Sequence, residues 1–464
     1  MNLSTFRKSF MMVTLALLTS VVMWGCGSDS YDTPTTVTNT PVAGSATDVL
    51  IEPATLKAWI DQGLVNTDSS FNDKVVILEY GSSGDRIPGA CRVGTNELRG
   101  TRLDGLAPAG SMVATGEQMD AVIQRLGIDE NTTIVFVTSG SMYLETRVYW
   151  TFRYWGFPQE RLKVLNGGYN AWAADGFELT AEVPEPTPST YSVKNLGTLN
   201  SDLRVSIGEL IAKLDSDEVN GVDYLTMDAR ASLTSTTSGF YGTAATGSLM
   251  GSNFVVFEGR PAGGVALSQG TLFGSDGKFK PVSDDDADTT NDLTSLFEAV
   301  GWEPGLPVIT YCTSGYSCTP IYFALEAILG SPVQVFDGSW STAGQYAAIT
   351  GTVAEDGYDS VTGAGLPIGS LWDLSQYVVS TDGTTGPSYN ATNGNTKKLA
   401  DDSIVPLTIS DIYRTPFSAD LENWYAPGAA ETNQVETTDD AYISSGGAES
   451  GPATPVSGSD APLC

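Results

Sequence analysis

The sequence predicts an α/β protein of two tandem domains, each a mostly parallel sheet flanked by helices, followed by a poorly ordered acidic C-terminal tail. Three observations predict this. Apolar runs of strand length alternate with helical stripes, the pattern of a parallel sheet whose strands are joined through helices. The alternation runs twice with matched spacings, on either side of a proline-rich break. Beyond about Thr350 the periodicity fades, and Gly, Ser, Thr and Asp take over.

The elements follow in order. Arg7 and Lys8, then the apolar run Phe10 to Trp24, read as a signal peptide over residues 1–25. It ends at Met23-Trp24-Gly25-Cys26, which resembles a bacterial lipoprotein box with Cys26 as the lipid anchor. Gly27 is not an inner-membrane retention Asp, so this resemblance points to the outer membrane of the cell envelope. Residues 26–47 are rich in Ser, Thr, Pro and Gly and read as a tether.

The first domain is expected over 48–183. Leu56, Trp59 and Ile60 suggest a helix, and Val75 to Leu78 a strand buried on both faces. Met119, Val122, Ile123 and Leu126 form one helical stripe. Ile134 to Val137 reads as a strand, Leu144 to Trp155 as a helix, and Val164-Leu165 as a strand before Gly167-Gly168.

Pro184, Pro186 and Pro188 mark a linker over 184–200. The second domain, 201–350, restarts with a capping box of Ser206 and Glu209 and the stripe Ile207, Leu210, Ile211, Leu214. Leu225 to Asp228 reads as a strand and Leu293 to Val300 as a helix. Val308 to Tyr311, Pro320 to Leu329 and Val333 to Phe336 then read as strand, helix and strand. An insertion rich in Gly and Asp lies around Phe257 to Asn291. The tail, 351–464, ends in a stretch from Pro427 with six acidic and no basic residues, expected to be disordered.

The two halves are a repeat. Gly127 precedes Thr138 by 11 residues, and Gly301 precedes Cys312 by 11. Val164-Leu165-Asn166-Gly167 matches Val335-Phe336-Asp337-Gly338. Thr138 and Cys312 therefore stand at equivalent places, after a sheet strand and before a helix.

Composition restricts the chemistry. The 464 residues hold 23 Lys+Arg, 55 Asp+Glu and no histidine, for a net charge of −32. Without histidine there is no Ser-His-Asp or Cys-His catalysis, no CxxCH haem attachment and no histidine metal site. The acidic balance argues against nucleic acid as a partner. The 5 cysteines, Cys26, Cys91, Cys312, Cys318 and Cys464, show no disulfide ladder and no CxxC.

Cys312 is the candidate nucleophile. A strand ending in Cys and followed by Thr313, Ser314, Gly315, Tyr316 and Ser317 can turn its N–H groups inward toward a thiolate, helped by the next helix's N-terminus. The alternative is a buried structural thiol. Cys318 reads as helix packing or as a resolving thiol for Cys312. Arg230 reads as a buried ion pair, with contact to substrate as the alternative. Arg86, Arg92 and Arg260 are further candidate cations. Cys91 reads as a core residue.

Over about Asp48 to Thr350 the sequence resembles the rhodanese family in its tandem sulfurtransferase form. Cys312 to Ser317 resembles the six-residue active loop. Asp228-Ala229-Arg230 is similar to the Asp-x-Arg strand end. Gly84-Asp85-Arg86-Ile87-Pro88-Gly89-Ala90 and, more worn, Gly247 to Asn253 resemble the Gly-His-Ile-Pro-Gly-Ala signature. Leu165-Asn166-Gly167-Gly168-Tyr169 with Trp172 resembles the closing motif.

The resemblance implies ping-pong sulfur transfer through a Cys312 persulfide, from a small sulfur donor to a thiol or cyanide-like acceptor, with no cofactor or metal. It implies a silent first domain, because Thr138 cannot form a persulfide. The Cys312 loop has no Arg or Lys, which points away from thiosulfate and leaves mercaptopyruvate-like donors open. The second reading is a non-turnover binding or redox-accessory lipoprotein. It would hold sulfur or selenium oxyanions or dock with envelope partners such as an electron-transfer complex.

Overall fold

The computed structural model describes residues 49–67, 74–104, 107–230, 260–283, 291–343 and 433–445, and the short strands at 372–373, 396–398 and 404–406. The signal peptide, Cys26, the tether, Gly247 to Asn253 and Cys464 lie outside the described residues.

The first half contains β1 (Leu50–Ile51), α1 (Pro53–Asp61), β2 (Val75–Tyr80), β3 (Cys91–Val93), β4 (Arg99–Asp104), β5 (Ala107–Val113), α2 (Gly116–Arg125), β6 (Thr133–Val137), α3 (Tyr143–Tyr154), β7 (Leu162–Leu165) and α4 (Gly168–Ala174). Its five-stranded sheet runs β1-β7-β6-β2-β3 with every pairing parallel. Alternate strand residues feed two separate cores, because a strand's side chains alternate in direction. Val76, Leu78, Ile134 and Phe136 enter one, and Val75, Ile77, Val135 and Val137 the other. Leu56 and Trp59 of α1 and Trp172 of α4 close that second core. The unbroken apolar runs are thus two-faced strands, as their composition predicts.

The second half contains α5 (Ile207–Leu214), β8 (Leu225–Asp228), β9 (Arg260–Pro261), β10 (Val265–Ala266), α6 (Leu293–Glu298), β11 (Val308–Tyr311), α7 (Thr319–Phe323) and β12 (Val333–Val335). Its sheet runs β10-β8-β11-β12, again parallel. An isolated parallel bridge from Arg204 to Val335 adds a fifth position beside β12. The order then matches the first sheet strand for strand. The capping box at α5 forms: Ser206 Oγ accepts from the Glu209 N–H, and Glu209 Oε2 accepts from the Ser206 N–H at 2.7 Å.

One face of each half contributes to a single core. α3 and α7, the helices that follow the two equivalent loops, meet there. Tyr149 packs edge-on against Phe323 at 4.9 Å, and the hydroxyls of Thr146 and Thr319 share a 2.8 Å hydrogen bond. The helix expected over Pro320 to Leu329 instead changes from α to π geometry at Ala324–Ile328. That wider turn accompanies the reach of Glu326 to Arg153 (2.9 Å) and Tyr149 (2.8 Å) of α3.

Two features depart from the sequence reading. β4 and β5 form an antiparallel hairpin that no periodicity announced. The expectation of a disordered end is corrected at α8 (Gln434–Ser444), a helix docked on the body. Glu436 and Asp439 on it are counter-charges, while Asp440 faces solvent. Asp439 accepts from Arg102 at 2.7 and 2.8 Å and from the Tyr154 hydroxyl at 2.8 Å. Glu436 pairs with Arg204 at 3.2 Å, and Tyr442 donates to Asp120 at 2.7 Å. Composition suggested disorder because these partners lie hundreds of residues away in sequence.

Candidate active site

Cys312 sits at the C-terminal end of β11, where a parallel sheet opens toward the following helix. The loop after it folds back on the sulfur. Gly315, at φ 82°, supplies the reversal and donates its N–H to Cys312 Sγ at 3.2 Å. No other residue fits there, because a Cβ on Gly315 would lie 2.4 Å from the Asp337 carbonyl oxygen.

Burial alone would push the Cys312 thiol up. Hydrogen bonds from the Cys318 thiol and from the N–H groups of Ser314, Cys318 and Gly315 outweigh it and bring the group down to about 6. Burial and the same contact push Cys318 well above the usual thiol range. The two opposite shifts favour a Cys312 thiolate beside a protonated Cys318. Cys312 is 2% exposed and Cys318 0%.

The rest of the predicted loop forms the wall. Thr313 accepts from the Ser341 N–H at 2.9 Å, and the Trp340 N–H donates to the Cys312 carbonyl at 3.0 Å. The Tyr316 hydroxyl meets that of Tyr80, from the first half, at 2.9 Å. Ser314 and Ser317 are half-buried. Arg230 is held by Asp228 through contacts of 2.6 to 3.0 Å, and its guanidinium lies over the rings of Trp340 and Tyr311. Arg92 is likewise committed, to Glu79 at 2.8 Å, while Arg86 reaches the Ala90 carbonyl and Arg260 lies in β9. Cys91 is buried, its thiol pushed up to about 11 by that burial.

Two residues escaped the sequence reading. Arg147, fully buried on α3, donates to the Gly315 carbonyl at 2.7 Å and lies 5.0 Å from the Tyr316 ring centroid. The cation absent from the loop's own sequence is thus brought to it by the other half. Its signal in the sequence was slight, one of three charged residues on an aromatic-rich helix. The second is Ser339, at φ 50°, whose Oγ accepts from the Cys312 N–H at 3.2 Å.

The equivalence of Thr138 and Cys312 survives in detail. The Tyr169 N–H donates to the Thr138 carbonyl at 3.1 Å, as Trp340 does to Cys312. The Gly140 N–H donates to Thr138 Oγ1 at 3.0 Å, as Gly315 does to Cys312. Gly168, at φ 53°, stands where Ser339 stands. The first site is filled differently: the buried Glu145 carboxyl accepts the Thr138 N–H at 2.7 Å. Burial pushes that carboxyl well above its ordinary range.

Residues 53–175 match the family model described as a rhodanese-like domain. The matched half is the one with Thr138, not Cys312. Among curated proteins, one from Schizosaccharomyces pombe named "Probable 3-mercaptopyruvate sulfurtransferase" is 27% identical over 271 residues, covering 56% of this chain and 79% of that protein. A sulfur carrier protein of Thermus thermophilus is 26% identical over 50% of this chain and 75% of its own length. The thiosulfate sulfurtransferase of Mus musculus is 27% identical over 55% of this chain and 76% of its own. An alignment of 271 residues is longer than either half alone, so the likeness extends across the repeat. The first half thus holds a rhodanese-like domain, and across both halves the chain is similar to proteins named as sulfurtransferases.

Proposed function

We propose that the protein moves sulfane sulfur through a persulfide on Cys312 and does so as a lipid-anchored protein of the bacterial cell envelope. The observation that carries the first part is the loop turned back on the Cys312 sulfur, with the Gly315 N–H donating to it at 3.2 Å, and hydrogen bonding there brings the thiol down to about 6. The thiolate attacks the outer sulfur of a donor. The S–S bond forms as the donor's own bond to that sulfur breaks, and the donor's remainder leaves with the electron pair. The same hydrogen bonding stabilises the persulfide anion until a thiol or cyanide-like acceptor takes the outer sulfur and restores the thiolate. Mercaptopyruvate-like donors suit the site better than the dianion thiosulfate, because the loop has no cation of its own and Arg147 and Arg230 are engaged by protein groups.

The near-complete burial of Cys312 favours the second reading, a binding or redox-accessory role without turnover. Cyanide-dependent thiocyanate formation, measured with 3-mercaptopyruvate and with thiosulfate, separates the two. Wild type turns over and Cys312→Ser does not. Absence of a persulfide on Cys312 by mass spectrometry after either donor turns the conclusion to the binding role. The anchor rests on Cys26 and the preceding apolar run. Cys26→Ser releases the protein from the membrane fraction; retention there overturns the anchor.

A further inference from the structure

We propose that Cys318 resolves the Cys312 persulfide, so that a loaded site lacking an outside acceptor releases hydrosulfide and closes as a Cys312–Cys318 disulfide. This rests on the persulfide reading above. It adds an acceptor-independent sulfide-releasing reaction and an off state to that site.

The geometry around the two sulfurs carries the inference. Cys318 occupies the N-cap of α7, six residues after Cys312 and just beyond the Gly315 turn that folds the loop back onto the Cys312 sulfur. The intervening loop is turned back by Gly315 and pinned from outside by Arg147 on the Gly315 carbonyl. Both cysteines are sealed from solvent, so an external thiol must enter a closed site while Cys318 already lies inside it, at the far end of the same turned-back loop. Such intramolecular placement gives a large effective concentration. Burial keeps Cys318 protonated at rest, so it acts only once a sulfur that can take its proton is attached to Cys312.

The step balances without an added oxidant. The terminal sulfur of the Cys312 persulfide anion takes the Cys318 proton. The Cys318 sulfur forms a bond to Cys312 Sγ, and the bond from Sγ to the terminal sulfur breaks. Its electron pair leaves with hydrosulfide. The sulfane sulfur is reduced by two electrons, and the two cysteine sulfurs together are oxidised by two. An external dithiol reopens the disulfide by exchange.

The test uses the full chain, anaerobically, with no cyanide or thiol present. Loading by inorganic polysulfide installs the persulfide without donor turnover, so inactivity toward thiosulfate and 3-mercaptopyruvate sinks the sulfurtransferase reading and leaves this test in force. Wild type releases about one equivalent of sulfide per chain and ends lighter by two hydrogens, with Cys312 and Cys318 in one cross-linked peptide. Cys318→Ser and Cys318→Ala stay heavier by one sulfur for about tenfold longer, and cyanide still discharges them. The proposal is overturned if the Cys318 variants lose sulfide as fast as wild type, or if wild type keeps its persulfide and forms no disulfide.

Discussion

Ser339 holds the main chain at Cys312 from a left-handed backbone: the Cys312 N–H donates to Ser339 Oγ at 3.2 Å, while Ser339 itself sits at φ 50°. The equivalent residue in the first half is Gly168, at φ 53°. The second half therefore tolerates backbone strain at this position in exchange for a hydroxyl beside the nucleophile. Strain of this kind costs roughly 1–3 kcal/mol and persists where its surroundings enforce it.

Two substitutions separate the hydroxyl from the strain. Ser339→Ala keeps the Cβ in the left-handed region and leaves the buried Cys312 N–H without its acceptor, so stability falls by about 1–3 kcal/mol. Ser339→Gly loses the same acceptor but relaxes the backbone, so its loss is smaller by about 1 kcal/mol. Urea denaturation of the two variants measures the difference. Equal losses would show that φ at this position stores no strain.

Hydrogen bonds to the Cys312 sulfur outweigh its burial and bring its thiol down to about 6 in the folded chain, well below an ordinary thiol. A depressed acid contributes stability that is complete above the unfolded value and is lost as pH falls through the folded one. Wild type therefore gains stability over Cys312→Ser as pH rises from about 6 to about 9, by up to about 1.4 kcal/mol per unit. Denaturation midpoints of the pair across that window check the slope, and ultraviolet thiolate absorbance checks the midpoint. A flat difference would mean that the N–H groups do not hold an anion.

Much of this architecture was legible because it depends on local periodicity. The two-faced strands at Val75 to Leu78 and Ile134 to Val137, the stripe of α2 and the Ser206 cap each declare themselves within a few residues. The repeat then placed Cys312 at a strand end. What stayed hidden depends on contacts distant in sequence. Arg147 reaches Gly315 across 168 residues, and Asp439 reaches Arg102 across 337. Neither an arginine on a helix nor an acidic stretch far along the chain reveals its partner. Ser339 was hidden for another reason: only the backbone angle distinguishes it from an ordinary serine.

Arg102 and Asp439 form a buried pair, with side chains 7% and 1% exposed. Removing one partner leaves the other's charge buried without compensation, which costs about 3–5 kcal/mol. Arg102→Ala is expected to lose that much and to release α8, so limited proteolysis then cuts near residue 434. The double change Arg102→Met with Asp439→Leu strands no charge and loses less than Arg102→Ala alone. If Arg102→Ala denatures with the wild type, the helix contributes nothing to the stability of the body.

The first site invites restoration, and its chemistry argues against it. Thr138→Cys would place a sulfur at the position equivalent to Cys312, at the end of β6. Yet Leu144 stands six residues on, where the second half has Cys318, and the side chain there meets the Gly140 N–H with no thiol beside it. The Ser139 N–H is taken by the Ser82 hydroxyl at 2.8 Å, and the Thr138 N–H by the buried Glu145 carboxyl. A sulfur in that setting keeps the desolvation cost of burial with little to offset it, so its thiol stays above the ordinary range. In a Cys312→Ser background, Thr138→Cys is expected to show no thiolate absorbance at neutral pH and no persulfide after polysulfide treatment. A persulfide on residue 138 would show that these surroundings are not what separates the two halves.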